Sequence, residues 1–203
     1  MTDSCRSDCP ACRLSGVLRR MGTGKTVLAS FVLWLIATVL INGKPFGLAQ
    51  LQEITGGPTI LDMTFTTGPN SVYAVLSALG DAGRVFDLTH IVPLDLVFPL
   101  TYGLFLAVGI SWALSRLLPE ESPLFLLNLA PIFAAAADYC ENAGVITLLL
   151  TYPAQLDSVA WFVSIMYIIK FFFSVVSFVT LIIALVGCVV LVLAHRPGRG
   201  TSL

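Results

Sequence analysis

From Val159 to Ala194 the chain carries a single charged side chain, Lys170, in an otherwise apolar run. A helix needs about 20 such residues to cross the hydrocarbon of a bilayer, and this run exceeds that length. Three more apolar runs precede it, Val27–Ile41, Ile91–Leu117 and Pro123–Leu150. Lipid offers no hydrogen-bond partners, so each run must satisfy its own backbone and folds as a helix. The expected fold is an all-α integral membrane protein, a four-helix transmembrane bundle with spans at about 26–42, 91–117, 123–150 and 159–190. Composition agrees, because 57% of the 203 residues are hydrophobic and only 11% are charged, against about 25% charged in soluble domains. A net charge of −1 leaves no basic stripe of the kind nucleic acid requires, so no nucleic-acid partner is expected.

The hydrophilic parts are small. Residues 1–25 hold Arg6, Arg13, Arg19, Arg20 and Lys25 with Cys5, Cys9 and Cys12, and are expected to form a disordered, reduced tail. The cysteines spell C-x3-C-x2-C, which resembles the cluster motif of radical SAM enzymes, but a membrane span follows here where those enzymes place a soluble barrel. Cys9 and Cys12 would make only half of a four-ligand zinc site. Gly22-Thr-Gly-Lys-Thr26 imitates a phosphate loop, yet Arg19 stands where that pattern needs its first glycine. A basic segment before a short apolar run also fits a signal peptide with cleavage near Ala49; an uncleaved anchor is the expectation. One membrane domain, 26–195, and a second tail, 196–203, complete the division.

Residues 43–89 form the long connection. Val72, Val75, Leu76 and Leu79 recur at i, i+3, i+4 and i+7, which predicts a short amphipathic helix at about 71–80 with one apolar face. Gly80-Asp-Ala-Gly83 should end it. This helix is expected to lie on the membrane or to cap the bundle.

Ionisable groups inside the apolar runs carry the functional signal, since burying them in lipid costs several kcal/mol unless they face protein, water or a partner charge. Asp138 and Glu141 lie at i and i+3 behind four alanines, and Lys170 lies at similar depth in the last run. Two carboxylates beside a lysine form a candidate acid–base cluster. Asp95, Tyr102, Tyr139, Asn142 and Tyr167 are candidate substrate-binding residues. Asp62, Asp87 and His90 would stand at the mouth of the cavity. No metal site is expected, as His90 and His195 are the only histidines and fall at opposite ends. The cofactor, if there is one, is unknown.

The basic N-terminal tail places both termini in the cytoplasm by the positive-inside rule, with the long connection outside. The cavity then opens outward. Leu61-Asp62…Gly68-Pro69, Gly80…Gly83-Arg84, Asp95…Phe98-Pro99…Tyr102 and Asp138…Glu141-Asn142 together resemble small four-span membrane proteins of microbial genomes. The resemblance covers residues 60–150, implies the four-span architecture and carries no activity.

Three functions compete. The protein binds or converts a lipid-soluble substrate, such as an isoprenoid or acyl lipid, in the cavity. Alternatively it is a structural or accessory membrane subunit with a buried ion pair, or a proton- or ion-coupled transporter subunit. The expected partners are the lipid bilayer, a lipid-soluble small molecule, and a second copy or another membrane protein.

Overall fold

The computed structural model describes residues 9–57 and 60–194. Cys5, Arg6 and His195 lie outside the described residues. Among the described residues eight helices follow in order: α1 Pro10–Met21, α2 Gly24–Asn42, α3 Leu48–Thr55, α4 Pro69–Phe86, α5 Val92–Asp95, α6 Phe98–Leu117, α7 Ala130–Thr151 and α8 Asp157–Ala194. Short 3-10 stretches occupy Leu61–Met63 and Pro123–Leu129, and a π-helical turn spans Asp87–Ile91. Among the described residues there is no strand. Four helical stretches among the described residues are long and apolar enough to cross a membrane: Gly24–Asn42, Pro69–Leu117, Pro123–Thr151 and Asp157–Ala194.

α7 and α8 share the largest interface, and α6 packs on α2, α7 and α8. Small residues set the spacing. A Cβ on Gly144 would stand 2.5 Å from Val163 Cγ2 across the α7–α8 contact, and one on Gly103 would stand 3.3 Å from Ala135 Cβ between α6 and α7. Such close approach lets apolar helices gain van der Waals packing along their length. α2 rests mainly on α6 and scarcely meets α8.

The N-terminal segment departs from the expectation of a disordered tail. Residues 10–21 form α1, which docks on α6 and on the 3-10 stretch that leads into α7. Ser15 donates to the Phe125 carbonyl at 3.2 Å, and Asn128 donates to the Ser15 carbonyl at 3.2 Å and to Ser111 Oγ at 3.0 Å. Arg19 donates to the Glu120 carbonyl and lies over the Phe125 ring. The local signals were Pro10 in the first turn and Arg19-Arg20 in the last, both favourable for a helix. Gly22-Thr-Gly-Lys-Thr26 proves to be a helix start, with Thr23 Oγ1 accepting the Thr26 N–H at 3.2 Å.

The helix predicted at 71–80 is longer, Pro69–Phe86, but its backbone breaks at Gly80 (φ 63°, ψ 177°), a conformation open to glycine alone. Val72, Leu76 and Leu79 are buried as the pattern required. Arg84 donates to the Leu76 carbonyl near the break and lies over the Tyr152 ring. The expected boundary at Ile91 is instead a continuous passage, because the π turn and α5 carry the chain on towards α6. α3 was not foreseen.

Gly144→Ala forces a methyl into Val163, and overpacking of this kind costs about 1–3 kcal/mol. The melting temperature of the detergent-solubilised protein should fall, and pairing with Val163→Ala should recover much of the loss.

Candidate functional site

The site begins with two prolines. Pro93 and Pro99 lack the N–H that would continue the helix ladder, and the chain answers with the π turn before α5 and a break at Leu96–Val97 before α6. Pro99 leaves the carbonyl of Asp95, four residues earlier, without its helical donor. Asn142 on α7 donates to that carbonyl at 3.4 Å, and Tyr139 donates to the neighbouring Leu96 carbonyl at 2.7 Å. Both side chains were expected to orient a substrate. They cap the interrupted backbone instead, and neither lines the cavity described next.

The Asp95 side chain lies buried at the wall of a cavity of about 370 Å³. Its polar end contains Asp62, Asp95, Tyr102, Asp138 and Lys170, and its apolar wall includes Trp34 of α2 with Phe171 and Phe178 of α8. Since α2 and α8 scarcely touch, the apolar wall lies along the gap between them.

At the polar end the Lys170 ammonium gathers three carboxylates. It donates to Asp62 Oδ1, lies 2.7 Å from Glu141 Oε2 and 3.6 Å from Asp138 Oδ1. Asp138 and Glu141 meet it together because i and i+3 share one helix face. Tyr102 donates to Asp138 Oδ2 at 2.9 Å. Tyr167 holds its ring 5.4 Å from the ammonium. Several acceptors are left over: Asp95 Oδ2, Asp138 Oδ1 and Glu141 Oε1 are buried with no hydrogen-bond partner.

Asp62 was placed at the mouth by the sequence. The structure brings it into the cluster, because the turn at Leu61–Met63 packs on α7 and buries Leu61 beside it. Nothing in the residue pattern marks this re-entry, as the contact joins positions 62 and 170 through tertiary packing alone. Asp87 and His90 do not line the cavity. Asp87 is buried in the π turn, and His90 stacks on Phe86 with ring centroids 4.5 Å apart and on Phe46 at 6.0 Å. Trp34, Phe171 and Phe178 were missed, since one aromatic residue in an apolar run looks like any lipid-facing position.

The carboxylate oxygens of Asp62, Asp138 and Glu141 lie within 4.8 Å of one another, a spacing that suits a divalent cation. The Lys170 ammonium stands among them and supplies the positive charge there itself.

Removing one member of a buried ion cluster leaves the others uncompensated, at a cost of about 3–5 kcal/mol. Lys170→Ala should therefore lower folded yield and melting temperature sharply, and adding Glu141→Gln should restore part of both. If the single variant melts like the parent, the cluster does not hold the fold together. Comparison with protein-family models, curated proteins and solved structures finds no match to this chain.

Proposed function

We propose that the protein is a four-span integral membrane protein that binds a lipid-soluble molecule in the cavity between α2 and α8. Membrane insertion is supported by what the helices expose. Leu28 and Val39 on α2 and Ile183 and Val186 on α8 are all more than half exposed, and such faces on long helices suit lipid rather than water. The termini are cytoplasmic, by the basic residues of the N-terminal segment. The cavity takes its lining from Leu48, Ile60, Asp62 and Met63 of the long connection, so it sits in the outer half of the bundle.

One observation carries the ligand reading: a single cavity joins an apolar wall along an interhelical gap to buried carboxylates with unused acceptors. Purely structural ion pairs have no need of an adjoining space. About 370 Å³ is within the range of small-molecule sites. The bilayer can deliver a molecule sideways, tail along Phe171 and Phe178 and head towards Asp138. Tyr102 and Asp138, hydrogen-bonded and in the cavity wall, are the groups best placed to hold or exchange a proton with that head. Conversion of the ligand would use this pair, with Lys170 fixing the carboxylate from behind.

A structural reading also has an observation in its favour. Lys170 ties the Leu61–Met63 turn, α7 and α8 together at one point, which is what an assembly clamp would do.

Native mass spectrometry of gently extracted protein separates the two. A ligand site predicts one lipid-soluble molecule retained per chain, with occupancy falling about tenfold when Ser174→Trp fills the cavity. Protein that flies empty, or with only a protein partner, favours the clamp. Topology has its own check: a C-terminal fluorescent-protein fusion should fluoresce, and an alkaline phosphatase fusion at the same end should stay inactive.

A further inference from the structure

Three of the side chains lining the cavity are acidic, Asp62, Asp95 and Asp138, and Lys170 is the only cationic one among the described residues that line it. Glu141 adds a fourth carboxylate directly behind the lysine. The single ammonium is already engaged by Asp62 and Glu141, so it offers little to an incoming head group. What remains open to the cavity is acceptor capacity. Asp95 is 4% exposed and its Oδ2 has no partner, while Asp138 Oδ1 makes no hydrogen bond and has only the Lys170 ammonium at 3.6 Å.

An anionic head would meet Asp95 and Asp138 in a medium that screens charge poorly. A neutral hydroxyl would satisfy one acceptor and leave the charge surplus untouched. A protonated amine brings up to three N–H donors and one positive charge, matching both deficits at once. The aromatic wall adds to this, because Trp34, Phe98 and Tyr102 line the same space and ring faces attract desolvated cations.

We propose that the molecule bound in this cavity is a lipophilic amine, held as its ammonium cation between Asp95 and Asp138 with its apolar chain along the α2–α8 gap. This rests on the reading of the cavity as a ligand site and adds the chemical class of the head group. Asp95 is the specificity determinant. Tyr102 orients Asp138 by its hydrogen bond, and Lys170 keeps Asp62 and Glu141 from competing for the incoming cation.

The test uses three probes with the same tail, dodecylammonium, dodecanol and dodecanoate, titrated against the full-length protein in zwitterionic phosphatidylcholine nanodiscs, with empty nanodiscs as the blank. The expected order is dodecylammonium tighter than dodecanol by about tenfold or more, with dodecanoate weakest. Asp95→Asn should erase the preference for the ammonium over the alcohol, and Asp95→Glu, which keeps the charge, should retain it. Equal affinity for ammonium and alcohol, or a preference for dodecanoate, overturns the cationic head group while leaving a ligand cavity in place. A preference that survives Asp95→Asn overturns the role of Asp95. Binding of none of the three above the blank overturns the cavity reading and this inference together.

Discussion

The arrangement depends on one ammonium group buried among carboxylates. Lys170 is surrounded by Asp62, Asp138 and Glu141, each drawn from a part of the chain that has its own reasons to be there. Glu141 is fully buried and Asp138 nearly so, positions that an apolar interior would refuse to an isolated charge. Their presence is tolerable because the lysine is there, and the lysine is tolerable because they are. Such mutual dependence fixes register: sliding α8 along α7 by one turn would strand all three groups.

The second constraint is backbone rather than charge. Two prolines interrupt the path from α4 into α6, and the chain meets the cost with side chains from α7. Tyr139 and Asn142 take the carbonyls of Leu96 and Asp95. The stretch Asp138-Tyr139-Cys140-Glu141-Asn142 thus has two tasks on adjacent faces. Asp138 and Glu141 address Lys170, while Tyr139 and Asn142 repair the break. Together they accompany an Asp95 side chain that is buried at a cavity wall with its Oδ2 unpartnered.

Helix positions were legible because their causes are local. Apolar length marked the four long helical stretches, the 3.6-residue pattern at Val72, Leu76 and Leu79 marked the buried face of α4, and Gly80 marked its break. The convergence of Asp138 and Glu141 on Lys170 followed from helical phase and comparable depth. What stayed hidden depends on contacts distant in sequence. Asp62 enters the cluster through a fold of the long connection, and α1 is held by Phe125 and Asn128, which no reading of residues 1–25 reveals. Polarity at Arg13, Arg19 and Arg20 suggested disorder, whereas Ser15 and Leu18 already occupied one side of a helix. The polar residues Tyr139 and Asn142 were recognised as important but assigned to a ligand, because a carbonyl orphaned by Pro99 has no mark of its own in the sequence.

The position of the lysine in the chain has a consequence for biosynthesis. Translation delivers Asp62, Asp95, Asp138 and Glu141 well before Lys170, which arrives with the last helix. Until α8 leaves the ribosome, the nascent chain holds these acidic side chains without the lysine that they surround in the finished structure. The contacts of α8 with α7 and α6 form only after that interval. Completion of the chain and completion of the charge cluster therefore coincide, and α8 is the bolt that closes it.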